Sequence, residues 1–133
     1  MEAWERWWRM AQGSFAAAQS LEKLSQTRSC ASRAYYAAYQ AATALLLYGN
    51  QIPPVEREAW SHEATPALLE NVPSRILTPR IQQDLETRLA DLYVLRLTAD
   101  YRSEADIEAV ESRSAVRSAA FILKTIGSIF PRN

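Results

Sequence analysis

Ala34-Tyr35-Tyr36-Ala37-Ala38-Tyr39-Gln40-Ala41-Ala42-Thr43-Ala44-Leu45-Leu46-Leu47-Tyr48 carries no charged side chain over about four helical turns. Ala and Leu favour helix. Ala31, Ala34, Tyr35, Ala38, Ala42, Leu45 and Leu46 recur at three- and four-residue steps. The pattern predicts a helix from about Ser29 to Tyr48, with Gly49 as its stop. A helix apolar nearly all round is buried on most sides. In a chain of 133 residues, a second subunit is the expected extra cover. Tyr36, Tyr39 and Gln40 give this helix a second face with polar tips.

Working outward, Trp4, Trp8, Ala11, Phe15, Ala18 and Leu21 place one apolar stripe on a first helix from about Glu2 to Leu24. Gly13 inside it costs about 1 kcal/mol relative to Ala. Trp4, Trp7 and Trp8 fit core or interface better than a membrane anchor, since no lysine-rich face accompanies them. Pro53, Pro54, Pro66 and Pro73 gather in a connector spanning Asn50 to Leu77. There Val55–Ala64 is expected to form two turns, and Thr65-Pro66 to cap and open another that Pro73 closes. Thr78-Pro79 starts the next long helix, with Ile81, Leu85, Leu89, Leu92, Arg96 and Ala99 in line. A last helix is expected after Ser103 as N-cap. Its stripe is Ile107, Val110, Ser114, Ser118, Phe121, Ile122, Thr125 and Ile129, ending before Pro131. With no strand alternation and no repeat, the expectation is one all-α domain over residues 1–133. Its architecture is an up-and-down antiparallel bundle of four long helices, with one or two short helices in the connector.

Composition narrows function. Fifteen basic and 15 acidic residues give zero formal net charge, which argues against a broad basic coat for nucleic acid. Only Lys23 and Lys124 are lysines, so the positive charge is almost all arginine, which suits local phosphate recognition. One Cys, Cys30, and one His, His62, make no disulfide framework and no transition-metal set. Cys30 reads as a small buried hydrophobe. No phosphate-binding glycine loop or dinucleotide fingerprint occurs, so neither metal nor cofactor is expected. No apolar run reaches membrane-span length. The first residues lack a signal-peptide layout, leaving the cytoplasm as the default expectation.

Two clusters carry potential chemistry. In Arg96-Leu97-Thr98-Ala99-Asp100-Tyr101, Arg96 and Asp100 share a helix face at the i, i+4 spacing, and Arg96 falls on the core line. Read for function, Arg96 is a phosphate anchor, Asp100 orients it and Tyr101 offers a phenol. Read for structure, the trio is a helix-end ion pair beside a packed tyrosine. In Ser32-Arg33-Ala34-Tyr35-Tyr36-Ala37-Ala38-Tyr39-Gln40, the residues Arg33, Tyr36 and Gln40 share a face, where tyrosines also serve as core residues. His62 is the one ordinary near-neutral base, but Ser61 and Glu63 point away from it on a helix and make no triad.

Taken together, these clusters resemble the HEPN family of small helical domains. Ser32 to Tyr39, followed by Ala42, Ala44, Leu45, Leu46 and Gly49, is similar to that family's second-helix signature. His62 stands where many members carry a His opening the short middle helix. Arg96 through Ala99-Asp100-Tyr101 looks like the Arg-x-x-Ala-Asp-Tyr motif of one prokaryotic branch. The resemblance implies a helical bundle that commonly forms two-fold homodimers. It also implies a minimal nucleotidyltransferase as partner in a toxin–antitoxin pair, and RNA or nucleotide as ligand. Active members are metal-independent ribonucleases whose Arg, short polar-led spacer and His line a groove across the dimer. In some members the partner attaches nucleotides to a tyrosine near the motif, a position Tyr101 matches.

The chain departs from the ribonuclease motif. Leu97 follows Arg96 where a polar residue is usual, and Tyr101 occupies the His position. A phenol with an ordinary pKa near 10 is a poor base at neutral pH. His62 can substitute only if the connector folds back toward the Arg96 helix. The catalytic candidates are therefore Arg96, Tyr101 and His62, and the nucleotide- or phosphate-binding candidates Arg96, Asp100, Arg33 and Tyr36. Three readings stand: a dimeric nucleotide- or RNA-binding interaction module, an active ribonuclease toxin, and a purely structural bundle.

Overall fold

The charge-free segment forms the central helix of an all-α bundle. The computed structural model describes residues 1–131. The first helix, α1 (Ala3–Lys23), opens on a capping box in which the Glu2 and Glu5 carboxylates accept from each other's backbone N–H groups. It closes where Ser25 turns left-handed at φ 58° and the Gln26 N–H reaches Leu21 O at 3.0 Å. The turn is so short that α2 (Thr27–Tyr48) must run back antiparallel. Contacts pair Trp4 with Tyr48, Ser14 with Gln40 and Ala18 with Cys30, as that direction requires.

The end of α2 is a Schellman closure with Asn50, at φ 66°, as its left-handed residue. Asn50 N–H bonds Leu47 O and Gln51 N–H bonds Leu46 O, each at 3.0 Å. Gly49 itself has φ −79°, so it stops the helix without using its conformational freedom. Residues Ala31, Ala34, Tyr35, Ala37, Ala38, Ala41, Ala44, Leu45 and Leu46 are fully buried within this one chain. The alanines let α1, α4 and α5 approach α2 closely, and those helices supply its cover. The expectation that α2 needs a second subunit for cover is thus corrected.

The connector departs from its expected form. Val55–Ala64 makes turns but no helix. Pro53 and Pro54 remove two backbone donors, and Glu56 takes a left-handed φ of 66°. The short helix α3 (Thr65–Leu68) follows, but its N-cap is Ala64, one residue earlier than expected. The Thr65 hydroxyl donates to Ser61 O at 2.7 Å instead of capping. A 3-10 turn, Leu69–Asn71, leads toward Pro73.

α4 (Pro79–Tyr101) starts as read, with Thr78 Oγ1 accepting from Ile81 N–H at 3.4 Å and Pro79 at the first position. Leu85, Leu89, Leu92 and Ala99 are buried along it. α5 (Ala109–Gly127) starts later than Ser103, through a Glu108–Glu111 capping box. Its buried residues are Ser112, Ala115, Val116, Ala119, Ile122, Leu123 and Ile126. The expected stripe is rotated from these: Ile107 is buried from the loop before the helix, while Val110 is 61% exposed. Trp4 and Trp8 pack on Phe130, and Trp7 on Tyr39, which closes the α1–α5 end of the core. Cys30 is a free, buried thiol. Among the described residues there is no strand, and no helix is long and apolar enough to cross a membrane.

Candidate functional site

Arg96 reaches the site because α4 aims its core line at α2 one turn before the helix ends. Its side chain is 11% exposed. Nη2 donates to the Tyr36 phenol at 2.8 Å and, more weakly, to the Tyr101 phenol at 3.4 Å. Nε lies 2.9 Å from Asp100 Oδ2, but its N–H does not point along that line, so the contact is an ion pair without a formed hydrogen bond. The guanidinium carbon is 5.3 Å from the centres of both the Tyr36 and Tyr101 rings, within cation–π range. Burial opposes the charge, but the two phenols and Asp100 outweigh it and raise the Arg96 pKa. Asp100 is steadied from α2 by the Ser32 hydroxyl, which donates to Oδ2 at 3.2 Å.

Arg33, one turn before Tyr36, lays its guanidinium over the same Tyr36 ring at 4.9 Å. Arg33, Tyr36, Arg96, Asp100 and Tyr101 therefore form one cluster spanning α2 and the end of α4. Gln40 leaves it: its amide is buried against α1 and hydrogen-bonds Ser14 at 2.7 Å. The face expected to run Arg33–Tyr36–Gln40 divides after Tyr36, because α2 is covered on both sides.

The connector folds back. His62 sits among four tyrosine rings, parallel to Tyr93 of α4 at 6.0 Å and edge-on to Tyr36 at 5.9 Å. Tyr39 lies 4.4 Å away and donates its own hydroxyl to Trp60 O. The fully buried Tyr35 phenol hydrogen-bonds His62 Nδ1 at 2.6 Å. Burial, with its neighbouring tyrosines, pushes the Tyr35 pKa far above the phenol range, so this hydroxyl stays protonated. Burial and the Arg96 charge together lower the His62 pKa, against a smaller opposing effect of Glu63. A neutral imidazole that accepts at Nδ1 carries its proton on Nε2, and one that donates from Nδ1 leaves Nε2 as an acceptor. The Tyr35 bond engages Nδ1 and leaves Nε2 as the ring nitrogen with no hydrogen bond among the described residues.

Sequence reasoning missed the residue that holds the end of α4. From the first turn of α2, Arg28 donates to the carbonyls of Thr98, Ala99, Arg102, Ser103 and Ala105. The available signal was a cation with no acidic residue in the first turn of a helix, where the macrodipole disfavours it. Tyr93 was also missed, although it lies three residues before Arg96 on the same face. Among the described residues no group of three His, Cys, Asp or Glu side chains converges on a metal site.

The HEPN domain model matches residues 4–129. No curated protein matches the chain. Among solved structures, the crystal structure of TT1696 from Thermus thermophilus superposes with a TM-score of 0.79 at 21% identity, covering 98% of this chain and 100% of that one. At that identity the likeness speaks for the fold alone. Helix order, the α2 signature and the Arg96–Asp100–Tyr101 cluster all lie inside the matched span, and this chain belongs to the HEPN domain family.

Proposed function

We propose that the protein is a dimeric HEPN module that binds nucleotide or RNA through Arg96 and partners a minimal nucleotidyltransferase in a toxin–antitoxin-type pair. The observation that carries the ligand reading is Arg96 itself. A nearly buried guanidinium is held by two phenols and one carboxylate, with no hydrogen bond from Nη1 among the described residues. That edge is a preset donor for a phosphate oxygen. The dimer reading draws support from the outer face of α4, where Val94 and Tyr101 are 63% and 69% exposed, seven residues apart. Pairing two copies there brings both Arg96 sites toward one groove. The nucleotidyltransferase partner rests on the family's habit alone. The test is fluorescence anisotropy with labelled RNA and nucleotide: Arg96→Ala abolishes binding at unchanged helicity, and retained binding removes the anchor.

A ribonuclease reading has one observation in its favour, the return of His62 to the Arg96 face of α4. Against it, Nδ1 is occupied by Tyr35 and Tyr101 is a phenol. It requires RNA cleavage by the purified protein that disappears in Arg96→Ala and in His62→Ala.

A further inference from the structure

We infer that Arg33, with Ser29, forms a second phosphate subsite beside Arg96, so that the site takes a single strand of at least two ribonucleotides. This rests on the reading of Arg96 as a phosphate anchor. The two guanidinium carbons lie 4.9 and 5.3 Å from one Tyr36 ring centre, so their separation cannot exceed the sum of those distances. An anion placed between them is attracted by both charges. Asp100 pairs with Arg96, whereas Arg33 has no carboxylate within ion-pair distance among the described residues. Two cations against one carboxylate leave this face positive on a chain of zero net charge.

Beside Arg33 a cleft of about 510 Å³ opens between α2 and the end of α4, lined by Ser29, Ser32, Arg33 and Asp100 among others. Arg28 lines it too, but its donors are committed to backbone carbonyls. The Ser32 hydroxyl is given to Asp100, so Arg33 and the Ser29 hydroxyl are the donors available to an anion there. The cleft is an open trough, which suits a chain passing through better than an enclosed mononucleotide.

The test uses the full chain and a fluorescein-labelled single-stranded oligouridylate, titrated across a salt series. Each phosphate contact contributes about 0.7 to the slope of log affinity against log salt for single strands. Arg33→Gln is expected to weaken binding about tenfold and to lower the slope by about 0.7, as one lost contact requires. Arg33→Lys restores the slope because it restores the charge, which a loss of folding does not do. In competition, a dinucleotide carrying two phosphates displaces the probe about tenfold better than uridine monophosphate, since only it fills both subsites. If Arg33→Gln leaves affinity and slope unchanged while Arg96→Gln abolishes binding, the second subsite is refuted and the anchor stands. If Arg96→Gln also has no effect, the anchor itself falls. Equal competition by uridine monophosphate also overturns the two-nucleotide site.

Discussion

Replacing Arg28 by Ala removes one side chain and frees five carbonyls at the end of α4. The bonds to Ala99 O and Arg102 O, at 2.9 and 3.0 Å, are well formed, while those to Thr98 O and Ser103 O are long at 3.4 Å. A hydrogen bond from a charged donor contributes about 1.5–3 kcal/mol. The five share one guanidinium and do not add. Arg102 and Ser103 are exposed, so water replaces their lost partner, whereas Ala99 is buried and its carbonyl is less easily resolvated. A positive charge at a helix C-terminus adds up to about 1 kcal/mol more. The expected loss is about 3 kcal/mol for Arg28→Ala, or roughly 10 °C in Tm for a domain of this size. Arg28→Lys keeps the charge but not the fork, and loses about half as much. Urea titration followed by circular dichroism measures both, with the slope on urea unchanged. A loss below about 0.5 kcal/mol, the range of an ordinary surface substitution, refutes the clamp.

Three further outcomes follow from the packing. Gly127→Ala destabilises by about 1–3 kcal/mol in thermal melts, because its Cβ meets Trp8 Cζ2 at 2.9 Å; Gly13→Ala, with nothing within 4 Å, stabilises by about 0.5–1 kcal/mol. The His62 pKa is lowered in the folded chain, so the unfolded chain takes up the proton first. Melting temperature is therefore insensitive to His62 above about pH 7 and falls as pH drops below the ordinary value of 6.5 toward the lowered one. His62→Gln flattens that part of the profile, and an unchanged profile contradicts the assignment. Val94→Glu on the outer face of α4 leaves the fold intact and yields monomer by light scattering, whereas a dimer that persists places the interface elsewhere.

The helices were legible where one physical rule dominates. The charge-free run of α2 admits no exposed face, and Thr78-Pro79 satisfies capping and proline geometry together. Reading failed where local signals compete. Ser103, Glu104 and Asp106 resemble a helix start, but Arg28 gathers the carbonyls of Arg102, Ser103 and Ala105 and holds that segment as a loop. The stripe of α5 was anchored on Ile107, which is buried from outside the helix, and so was rotated. Of the site, Arg96, Asp100, Tyr101, Arg33 and Tyr36 were legible because helical spacing alone brings most of them together. The His62 environment was not, since Tyr35, Tyr39 and Tyr93 meet it only through the return of an irregular connector that carries no period.

Arg96 separates a structural from a binding role more sharply than its alanine variant does. It stands in line with Leu89, Leu92 and Ala99, where an apolar side chain packs without cost. Burying a guanidinium there needs compensation, and Asp100 supplies it from the last turn of α4, where a carboxylate is itself unfavourable to the helix dipole. Replacing a buried ion pair by apolar or neutral groups of similar size is often neutral or stabilising by about 1–4 kcal/mol. If the pair exists only to tie the helix end, Arg96→Met with Asp100→Asn lowers stability, because the tie is its whole contribution. If the pair is held for a ligand, the double variant is as stable as the parent or more so, and phosphate-dependent binding is lost. Urea titration and anisotropy on the same preparation read both quantities. A stable variant that still binds refutes the anchor, and an unstable one returns Arg96 to the architecture of the bundle.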